Sequence, residues 1–332
     1  MNVKELIRTI NHTLKSHNLF PENSRILVAC SGGPDSMALL YLLQDIATHR
    51  HTTYKIGVAI VDHCIRPESK DEVLWLQHQV EELGLPFYSA TFDVPRLSKE
   101  DKKSEETIGR QVRYQWLNEI AQSEGYDYIS VAHHKDDQAE SILAHIIRGS
   151  GLNGLTGMSV VQSEYAIPVV RPLLDVTKEN LLAYIGTKHI SYCVDSTNED
   201  VRYQRNRIRH RIIPELEAVN PAVVDAIVRL GSSVNEDVMV ISDLTARTFD
   251  KLVSIGDDEV RISRRALRQE PLAIQRRLWQ RLVSTIDSDL TLTSAHQEQL
   301  LDIVNTGEKK TFTIKSIKVI AQCDTIKVYC KH

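Results

Sequence analysis

The sequence lacks paired cysteines and long apolar runs. Its five cysteines are Cys30, Cys64, Cys193, Cys323 and Cys330. They include no Cys-x-x-Cys pair, so neither a disulfide framework nor a zinc knuckle is predicted. No run approaches the roughly 20 apolar residues of a membrane-spanning helix, and the amphipathic N-terminus has no long apolar core. We therefore expect a cytoplasmic protein that has no membrane partner.

An excess of positive charge is also missing, because the formal net charge is -4. This excludes a protein coated in positive potential, and any contact with nucleic acid must use local basic patches. With 332 residues, of which 42% are hydrophobic and 25% charged, the chain is typical of a globular protein long enough for two domains.

The turn after the first predicted strand lacks two common phosphate-binding motifs and has a third pattern. No lysine follows Gly33 as a P-loop requires, and Gly-x-Gly-x-x-Gly does not occur at this turn. Instead, an apolar run from Ile26 leads into Ser31-Gly-Gly-Pro-Asp-Ser36 and then into helical spacing. This order predicts a strand, a tight turn and a helix whose N-terminal N–H groups face an anion. A purely structural turn is the simpler alternative.

The first two thirds of the chain alternate between strand and helix patterns. Strands are predicted at 26–30, 54–61, 86–93, 126–132 and 166–174, with helices between most of them. Residues 98–104 are predicted to be a charged, mobile loop. The pattern indicates an α/β fold with a doubly wound parallel sheet, whose ligands bind at the carboxyl edge. Asp62, His133 and the pair Asp137 and Glu140 follow strands at that edge.

The character of the sequence changes after Pro214. Residues 222–252 and 271–283 have the apolar spacing of helices, and three short strand-like runs lie between 310 and 329. We expect a catalytic domain over residues 1–215 and a second, smaller, mostly helical domain over residues 216–332.

Several motifs, in order, together resemble the tRNA(Ile)-lysidine synthetases, which are N-type ATP pyrophosphatases of the PP-loop superfamily. They are Ser31-Gly-Gly-Pro-Asp-Ser36, Val61-Asp-His63, Arg66-Pro-Glu-Ser69, Arg110-x-x-Arg113-Tyr114, Ala132-His-His-x-Asp-Asp-Gln-Ala-Glu140, Arg148-Gly-Ser-Gly, Gly154-Leu-x-Gly-Met158, Arg171-Pro-Leu-Leu174, Asp195-Ser-Thr-Asn198 and Arg205-Asn-Arg207. One departure is Gly109, where the family usually has alanine. The resemblance implies an adenine nucleotide alpha hydrolase-like fold.

It also implies a two-step reaction on the wobble cytidine, position 34, of tRNA(Ile) with a CAU anticodon. ATP adenylates the C2 oxygen with loss of pyrophosphate, and the ε-amine of free L-lysine then displaces AMP to give lysidine. The implied ATP-binding residues are Ser31, Gly32, Gly33, Pro34, Asp35, Ser36 and Asp62. Asp35 would also hold Mg²⁺ among the phosphates; a helix N-cap is the structural alternative, and both roles can hold. Arg113 would neutralise charge that moves during adenylyl transfer.

Lysine requires a site that holds an ammonium and then removes a proton, because its amine has a pKa of about 10.4. Asp137 and Glu140 suit the ammonium, and His133 is the nearest candidate for proton transfer. His133 or His134 could instead contact nucleotide or cap the helix. The predicted catalytic residues are Asp35, Arg113, His133 and Asp137.

An arginine run follows Asn198 and comprises Arg202, Arg205, Arg207, Arg209 and Arg211. A solvated face is the simple interpretation, but arginine without lysine favours bidentate contact with RNA phosphates. We expect tRNA to bind Arg202, Arg205 and Arg207 and to contact the second domain. Longer family members carry a further C-terminal domain, so a short form is expected. A homodimer is compatible with the sequence.

Three alternatives remain. A sulfur transferase would need paired, persulfide-bearing or cluster-binding cysteines, and an amide synthetase would need a nucleophilic cysteine domain. A silent RNA-binding or nucleotide-sensing module would not need Asp35, Arg113, Asp137 and Glu140 together. These requirements favour the lysidine interpretation.

Overall fold

The computed structural model describes residues 2–66, 68–194, 204–256, 259–287, 290–306 and 309–330. The chain divides into two compact units, Met1–Ser232 and Ser233–His332. The division falls inside a long helix, α11 (Val223–Leu252). None of the helices formed by the described residues has the length and apolarity to cross a membrane.

A six-stranded sheet forms the centre of the first unit. Its strands are β1 (Arg25–Ala29), β2 (Lys55–Asp62), β3 (Phe87–Thr91), β4 (Tyr128–Ser130), β5 (Val161–Gln162) and β6 (Val169–Val170). Their order is β3-β2-β1-β4-β6-β5, and every pairing is parallel except that of β5 with β6. The predicted doubly wound α/β fold is confirmed, with an antiparallel edge strand added.

Among the described residues of the first unit, ten helices precede α11. They are α1 (Val3–Ser16), α2 (Pro34–His49), α3 (Ser69–Glu82), α4 (Val94–Asp101), α5 (Glu105–Ser123), α6 (Lys135–Ile147), α7 (Leu152–Leu155), α8 (Lys178–Lys188), α9 (Gln204–Arg207) and α10 (Ile213–Val219). A π-helical turn, Ile208–Ile212, lies between α9 and α10. The prediction of a mobile loop at residues 98–104 is wrong for residues 98–101, which belong to helix α4. Helix α4 forms there because Asp93 caps it, accepting a hydrogen bond from the Arg96 N–H at 3.0 Å.

Strand β1 is buried on both faces, which explains its continuous apolar sequence. Ile26 and Val28 pack in one apolar cluster with residues of α1, α2 and α8. Leu27 points to the other face and packs with Tyr114 and Leu117 of α5. The chain continues from β1 toward β2 on one side, whereas β4 lies on its other side. The carboxyl ends of β1 and β4 therefore flank the topological switch point, where ligands bind in such sheets.

The second unit combines helices with a five-stranded antiparallel sheet. Its strands are β7 (Val253–Ile255), β8 (Val260–Ser263), β9 (Lys310–Ile314), β10 (Ile317–Gln322) and β11 (Thr325–Cys330), in the order β7-β8-β11-β10-β9. The helices after α11 are α12 (Arg264–Gln269), α13 (Leu272–Ile286) and α14 (Ser294–Asn305). Trp279 and Leu278 of α13 are fully buried against the sheet's apolar residues. The sequence predicts α13 and the last three strands but not the short β7 and β8.

Candidate active site

The loop between β1 and α2 is built to expose backbone N–H groups. Gly32 has a φ of +79°, which disfavours any residue with a side chain. The Ser36 hydroxyl accepts a hydrogen bond from the Ser31 N–H at 3.2 Å and donates one to the Gly33 carbonyl at 2.9 Å. Gly33 is the N-cap of α2 and has no side chain to satisfy the first turn. These features make an anion site at a helix N-terminus.

Asp35 lies in the first turn of α2, beside two cationic groups. Its Oδ2 is 3.6 Å from Nε2 of His134 and 3.6 Å from Nζ of Lys178. Its Oδ1 is buried and accepts no hydrogen bond from the described residues. Asp35 is not the N-cap, because Gly33 occupies that position. A buried carboxylate oxygen without a partner at a phosphate loop is a suitable ligand for a hard cation.

His134 connects α2 with α6. It is the N-cap of α6, and its backbone N–H donates to Oδ2 of Asp137 at 3.0 Å. Its Nδ1 is 3.4 Å both from Oδ2 of Asp136 and from the Asp137 amide nitrogen. Burial acts to lower the pKa of His134, but hydrogen bonds to Asp136 and Asp35 raise it to about 9. We therefore assign a protonated ring that donates to Asp136.

The acidic pair of α6 meets the arginine run directly. Nε of Arg205 is 2.8 Å from Oε2 of Glu140, and its Nη2 is 2.8 Å from Oδ1 of Asp137. Arg209 contacts the same two carboxylates at 2.6 Å and 3.0 Å. Burial acts to raise the pKa of Asp137, but the charges of His134 and Arg205 lower it to about 2. The predicted amine site thus forms one cluster with two arginines of the run, of which Arg205 was predicted to bind tRNA.

Arg113 lies on α5, among aromatic and imidazole groups. Its guanidinium carbon is 5.5 Å from the ring centroid of Tyr114, which stacks on Tyr165 at 5.6 Å. Burial lowers the pKa of Arg113. Burial and the charge of Arg113 also lower the pKa of His63 to about 4, so this ring is neutral near pH 7. The guanidinium therefore provides positive charge in a partly desolvated setting.

His133 lies three residues after the end of β4, and burial lowers its pKa to about 3. Its Nδ1 is buried and has no hydrogen-bond partner among the described residues. The ring is therefore neutral near pH 7.

Asp62 ends β2, where its Oδ1 accepts a hydrogen bond from the Cys64 N–H at 2.8 Å, and its side chain is buried.

The structure brings Asp35, Asp137 and Glu140 to one edge of the sheet, with His134 between α2 and α6. Arg207 is exposed, and Arg202 lies outside the described residues. Lys178 was not predicted, although its position directly after the Thr177 cap of α8 marks a first-turn residue. The pairing of Arg209 with Glu140 was also missed, because contacts across 69 residues leave no local pattern.

The described residues contain no cluster of three histidine, cysteine, aspartate or glutamate side chains that could hold a metal alone. Mg²⁺, however, is usually held by one or two carboxylates together with substrate phosphates. Asp35 and its unpartnered Oδ1, next to the phosphate loop, fit that arrangement.

Comparison with known proteins gives a consistent result. Residues 3–216 match the model of the PP-loop domain. The chain is 32% identical to the tRNA(Ile)-lysidine synthase of Nostoc sp. over 299 residues, covering 86% of this chain and 85% of that protein. It is 37% identical to the tRNA(Ile)-lysidine synthase of Thermosipho africanus over 246 residues, covering 74% of this chain and 56% of that protein.

The tRNA(Ile)-lysidine synthase of Porphyromonas gingivalis is 35% identical over 226 residues, 68% of this chain and 48% of that protein. The chain thus spans about half the length of several curated relatives that it matches. Among solved structures, the U34-tRNA thiolase NcsA from Methanococcus maripaludis, with its [4Fe-4S] cluster, shares the fold. The TM-score is 0.59 at 20% identity, and the match covers 70% of this chain and 78% of that chain. The PP-loop match and the coverage of the Nostoc protein confirm the resemblance found in the sequence: the chain belongs to the tRNA(Ile)-lysidine synthase family.

Proposed function

We propose that this protein ligates free L-lysine to C2 of cytidine 34 in tRNA(Ile) with a CAU anticodon, at the expense of ATP. The observation that carries the proposal is the meeting of the phosphate loop, Asp35 and the carboxylates of Asp137 and Glu140 at one switch point. The phosphate loop and Asp35 would serve ATP, and the two carboxylates would serve lysine. We also propose a cytoplasmic location. Residues 216–332 would form a domain that contacts the tRNA.

In the first step the C2 oxygen of the base attacks the α-phosphorus of ATP. An O–P bond forms, the bond to the β-phosphate oxygen breaks, and pyrophosphate leaves. Backbone N–H groups of Gly32 and Gly33 and the hydroxyls of Ser31 and Ser36 would bind the departing phosphates, the Ser36 hydroxyl after giving up its hydrogen bond to the Gly33 carbonyl. Pro34 completes the loop by fixing the first residue of α2, and Asp62 lies at the end of the adjacent strand.

Asp35 would hold Mg²⁺ against these phosphates through Oδ1, and the metal would neutralise their charge. Arg113 contributes a second positive charge on the α5 side of the site. Because it is half-buried, its interaction with the charge that develops at the α-phosphate would be stronger than in bulk solvent.

In the second step the lone pair of the lysine ε-amine forms a bond to C2, and the bond from C2 to the AMP oxygen breaks. Asp137 and Glu140 would hold the incoming ammonium, which must lose one proton before it attacks. His133 is the candidate for proton transfer, but burial lowers its pKa to about 3, so in this state of the protein the ring is a weak base for an ammonium proton. Arg205 and Arg207 would bind phosphates of the tRNA.

The deciding experiment incubates the protein with ATP, radiolabelled lysine and a tRNA(Ile) transcript carrying the CAU anticodon. The expected result is label in the RNA, with AMP and pyrophosphate released in equal amounts. A transcript in which cytidine 34 is replaced by uridine is the control and should stay unlabelled. Sulfur incorporation from a donor, with no lysine label, would overturn the proposal in favour of a thiolase.

A parallel assay with Glu140→Gln tests the amine site. We expect a raised KM for lysine and an unchanged KM for ATP. Equal lysine dependence in wild type and variant would remove Glu140 from the lysine site.

A further inference from the structure

The carboxylates of Asp137 and Glu140 are fully engaged by two guanidinium groups. Arg205 contacts each carboxylate at 2.8 Å, and Nε of Arg209 lies 2.6 Å from Oε1 of Glu140. Nη2 of Arg209 is 3.0 Å both from Oδ1 of Asp137 and from Oε2 of Glu140. Two negative and two positive charges therefore cancel within one cluster.

Both carboxylates are closed to a further cation in this arrangement. The side chain of Glu140 is 1% exposed and that of Asp137 is 10% exposed. The second oxygen of Asp137 is also used, because it accepts the N–H of His134. An ammonium group could reach these oxygens only by displacing a guanidinium. Such displacement is unfavourable, since guanidinium groups that bridge carboxylates form strong, charge-assisted hydrogen bonds.

The two arginines are open on their other side. The side chains of Arg205 and Arg209 are 42% and 23% exposed. Arg207 and Arg211, which flank Arg209 in the sequence, are both exposed. A polyanion that approaches this segment therefore meets the exposed sides of Arg205 and Arg209, which hold the acidic pair, whereas Arg207, two residues from each of them, lies on another face of the helix. Phosphate oxygens offer guanidinium groups the same bidentate geometry as carboxylates do.

We propose that RNA phosphates and the two carboxylates compete for Arg205 and Arg209, so that binding of RNA frees Asp137 and Glu140 to accept the lysine ammonium. This inference rests on the proposed function, because it takes these carboxylates as the lysine site. It assigns Arg209 a positioning role that its sequence position alone does not reveal. It also means that lysine binds tightly only when the RNA that it will modify is present.

Thermodynamic linkage makes the exchange reciprocal. If RNA raises the affinity for lysine by some factor, lysine raises the affinity for RNA by the same factor. Couplings between sites in proteins are commonly between about 5-fold and 150-fold. We expect a value of about tenfold here, because two guanidinium groups change partners.

The test measures lysine binding by calorimetry on the full-length wild-type protein, without ATP so that no chemistry occurs. One titration contains the tRNA(Ile) transcript with the CAU anticodon, and the other contains no RNA. The expected result is a lysine Kd lower by about tenfold with RNA. Equal Kd values with and without RNA would overturn the inference, and this comparison needs no variant.

Arg209→Ala gives the second measurement. It leaves Glu140 paired with Arg205, so the carboxylate keeps a positively charged partner. We expect tighter lysine binding in the absence of RNA and a smaller effect of added RNA. Arg207→Ala is the matched control. It should weaken RNA binding but leave the lysine affinity of the RNA-free protein as in wild type. Weaker lysine binding by Arg209→Ala without RNA would contradict the exchange.

Failure of the exchange and failure of the proposed function have different signatures. If lysidine forms but RNA does not change the lysine Kd, the function stands and the exchange is wrong. If lysine binds in neither titration and no label enters the tRNA, the function itself is wrong, and the exchange falls with it.

Discussion

Oδ2 of Asp35 lies 3.6 Å from Nζ of Lys178, so the first turns of α2 and α8 face each other with opposite charges. The other oxygen of Asp35 accepts no hydrogen bond from the described part of the chain. One carboxylate thus contacts a structural cation and keeps a free oxygen toward the phosphate loop. The first prediction rests on this difference between the two carboxylate oxygens of Asp35.

Asp35→Asn should slow tRNA-dependent release of pyrophosphate from ATP by on the order of 10²-fold or more, because a neutral amide is a weaker ligand for the cation that would neutralise the phosphates. The measurement is pyrophosphate release at saturating ATP and Mg²⁺. Asp45→Asn is a matched control on the same helix, where Asp45 contacts Tyr184 and Lys188. It should lower thermal stability and leave pyrophosphate release unchanged. A wild-type rate for Asp35→Asn would remove this residue from the catalytic site.

Arg207 offers the clearest test of RNA contact, because it is exposed and forms no ion pair with a described residue. Arg207→Ala should weaken tRNA binding and reduce the slope of log K against log salt by about 1. Filter binding over a series of salt concentrations measures both effects. Arg8→Ala, on the exposed side of α1, removes the same charge elsewhere and should leave the slope unchanged. Identical slopes for wild type and Arg207→Ala would rule out a phosphate contact at Arg207.

Gly109 marks the departure from the family pattern, and the structure has room for a methyl group there. A Cβ would lie 3.7 Å from the His63 ring and 3.8 Å from Val94, which are ordinary contacts. Gly109→Ala should therefore raise the free energy of unfolding by about 0.5–1 kcal/mol through helix propensity. Thermal unfolding followed by circular dichroism measures the change, and lysidine formation should be retained.

Gly57, in β2, is the matched control for Gly109, because a methyl group does not fit there. A Cβ there would overlap the hydroxyl of Tyr126. Gly57→Ala should lower stability by about 1–3 kcal/mol, because the tyrosine ring must move. If both alanine variants changed stability in the same direction, the packing around one of these glycines would differ from that described.

The buried imidazole of His133 predicts acid sensitivity. Its pKa of about 3 lies below the value of about 6.5 in an unfolded chain. As the pH falls below about 6.5, the unfolded chain binds a proton that the folded protein does not. This group therefore lowers stability progressively toward about pH 3, by about 1.4 kcal/mol per pH unit. Above pH 6.5 the group has no such effect.

NMR of the ¹⁵N-labelled ring measures this prediction directly. The His133 ring should remain neutral at pH 5, and His133→Gln should lose less stability between pH 7 and pH 5 than wild type. A ring that titrates near pH 6.5 in the folded protein would contradict the burial of His133.

Much of the first unit was predictable because local patterns determine it. The β1 strand, the glycine turn and the start of α2 follow from residues adjacent in sequence. The confirmed strand alternation also places Asp62, His133 and Asp137 at one edge, because parallel strands all end there. Helix α4 was missed because its polar residues gave no apolar stripe, whereas its cap at Asp93 is a single side chain.

The contacts inside the site were not predictable from local sequence. Arg205 and Arg209 were expected to face solvent or RNA, yet each bridges two carboxylates more than 60 residues away. Likewise, His134 and His133 are adjacent and alike in sequence. Carboxylates around His134 raise its pKa to about 9, whereas burial lowers that of His133 to about 3. Such differences depend on tertiary surroundings and not on residue type.

The π-helical turn at Ile208–Ile212 separates the arginine pair from the helix that follows. In this turn the Ile213 N–H bonds to the carbonyl of Ile208, five residues earlier, so the turn holds one residue more than an α-helical turn. Deleting that extra residue after Arg209 would make the turn α-helical, and α10 would keep roughly its rotation about the helix axis, because the π-helical turn absorbs the additional residue. Arg205 and Arg209 precede the point of change and would keep their contacts with Glu140. The turn therefore marks a position at which the chain can lose a residue without disturbing the ion cluster.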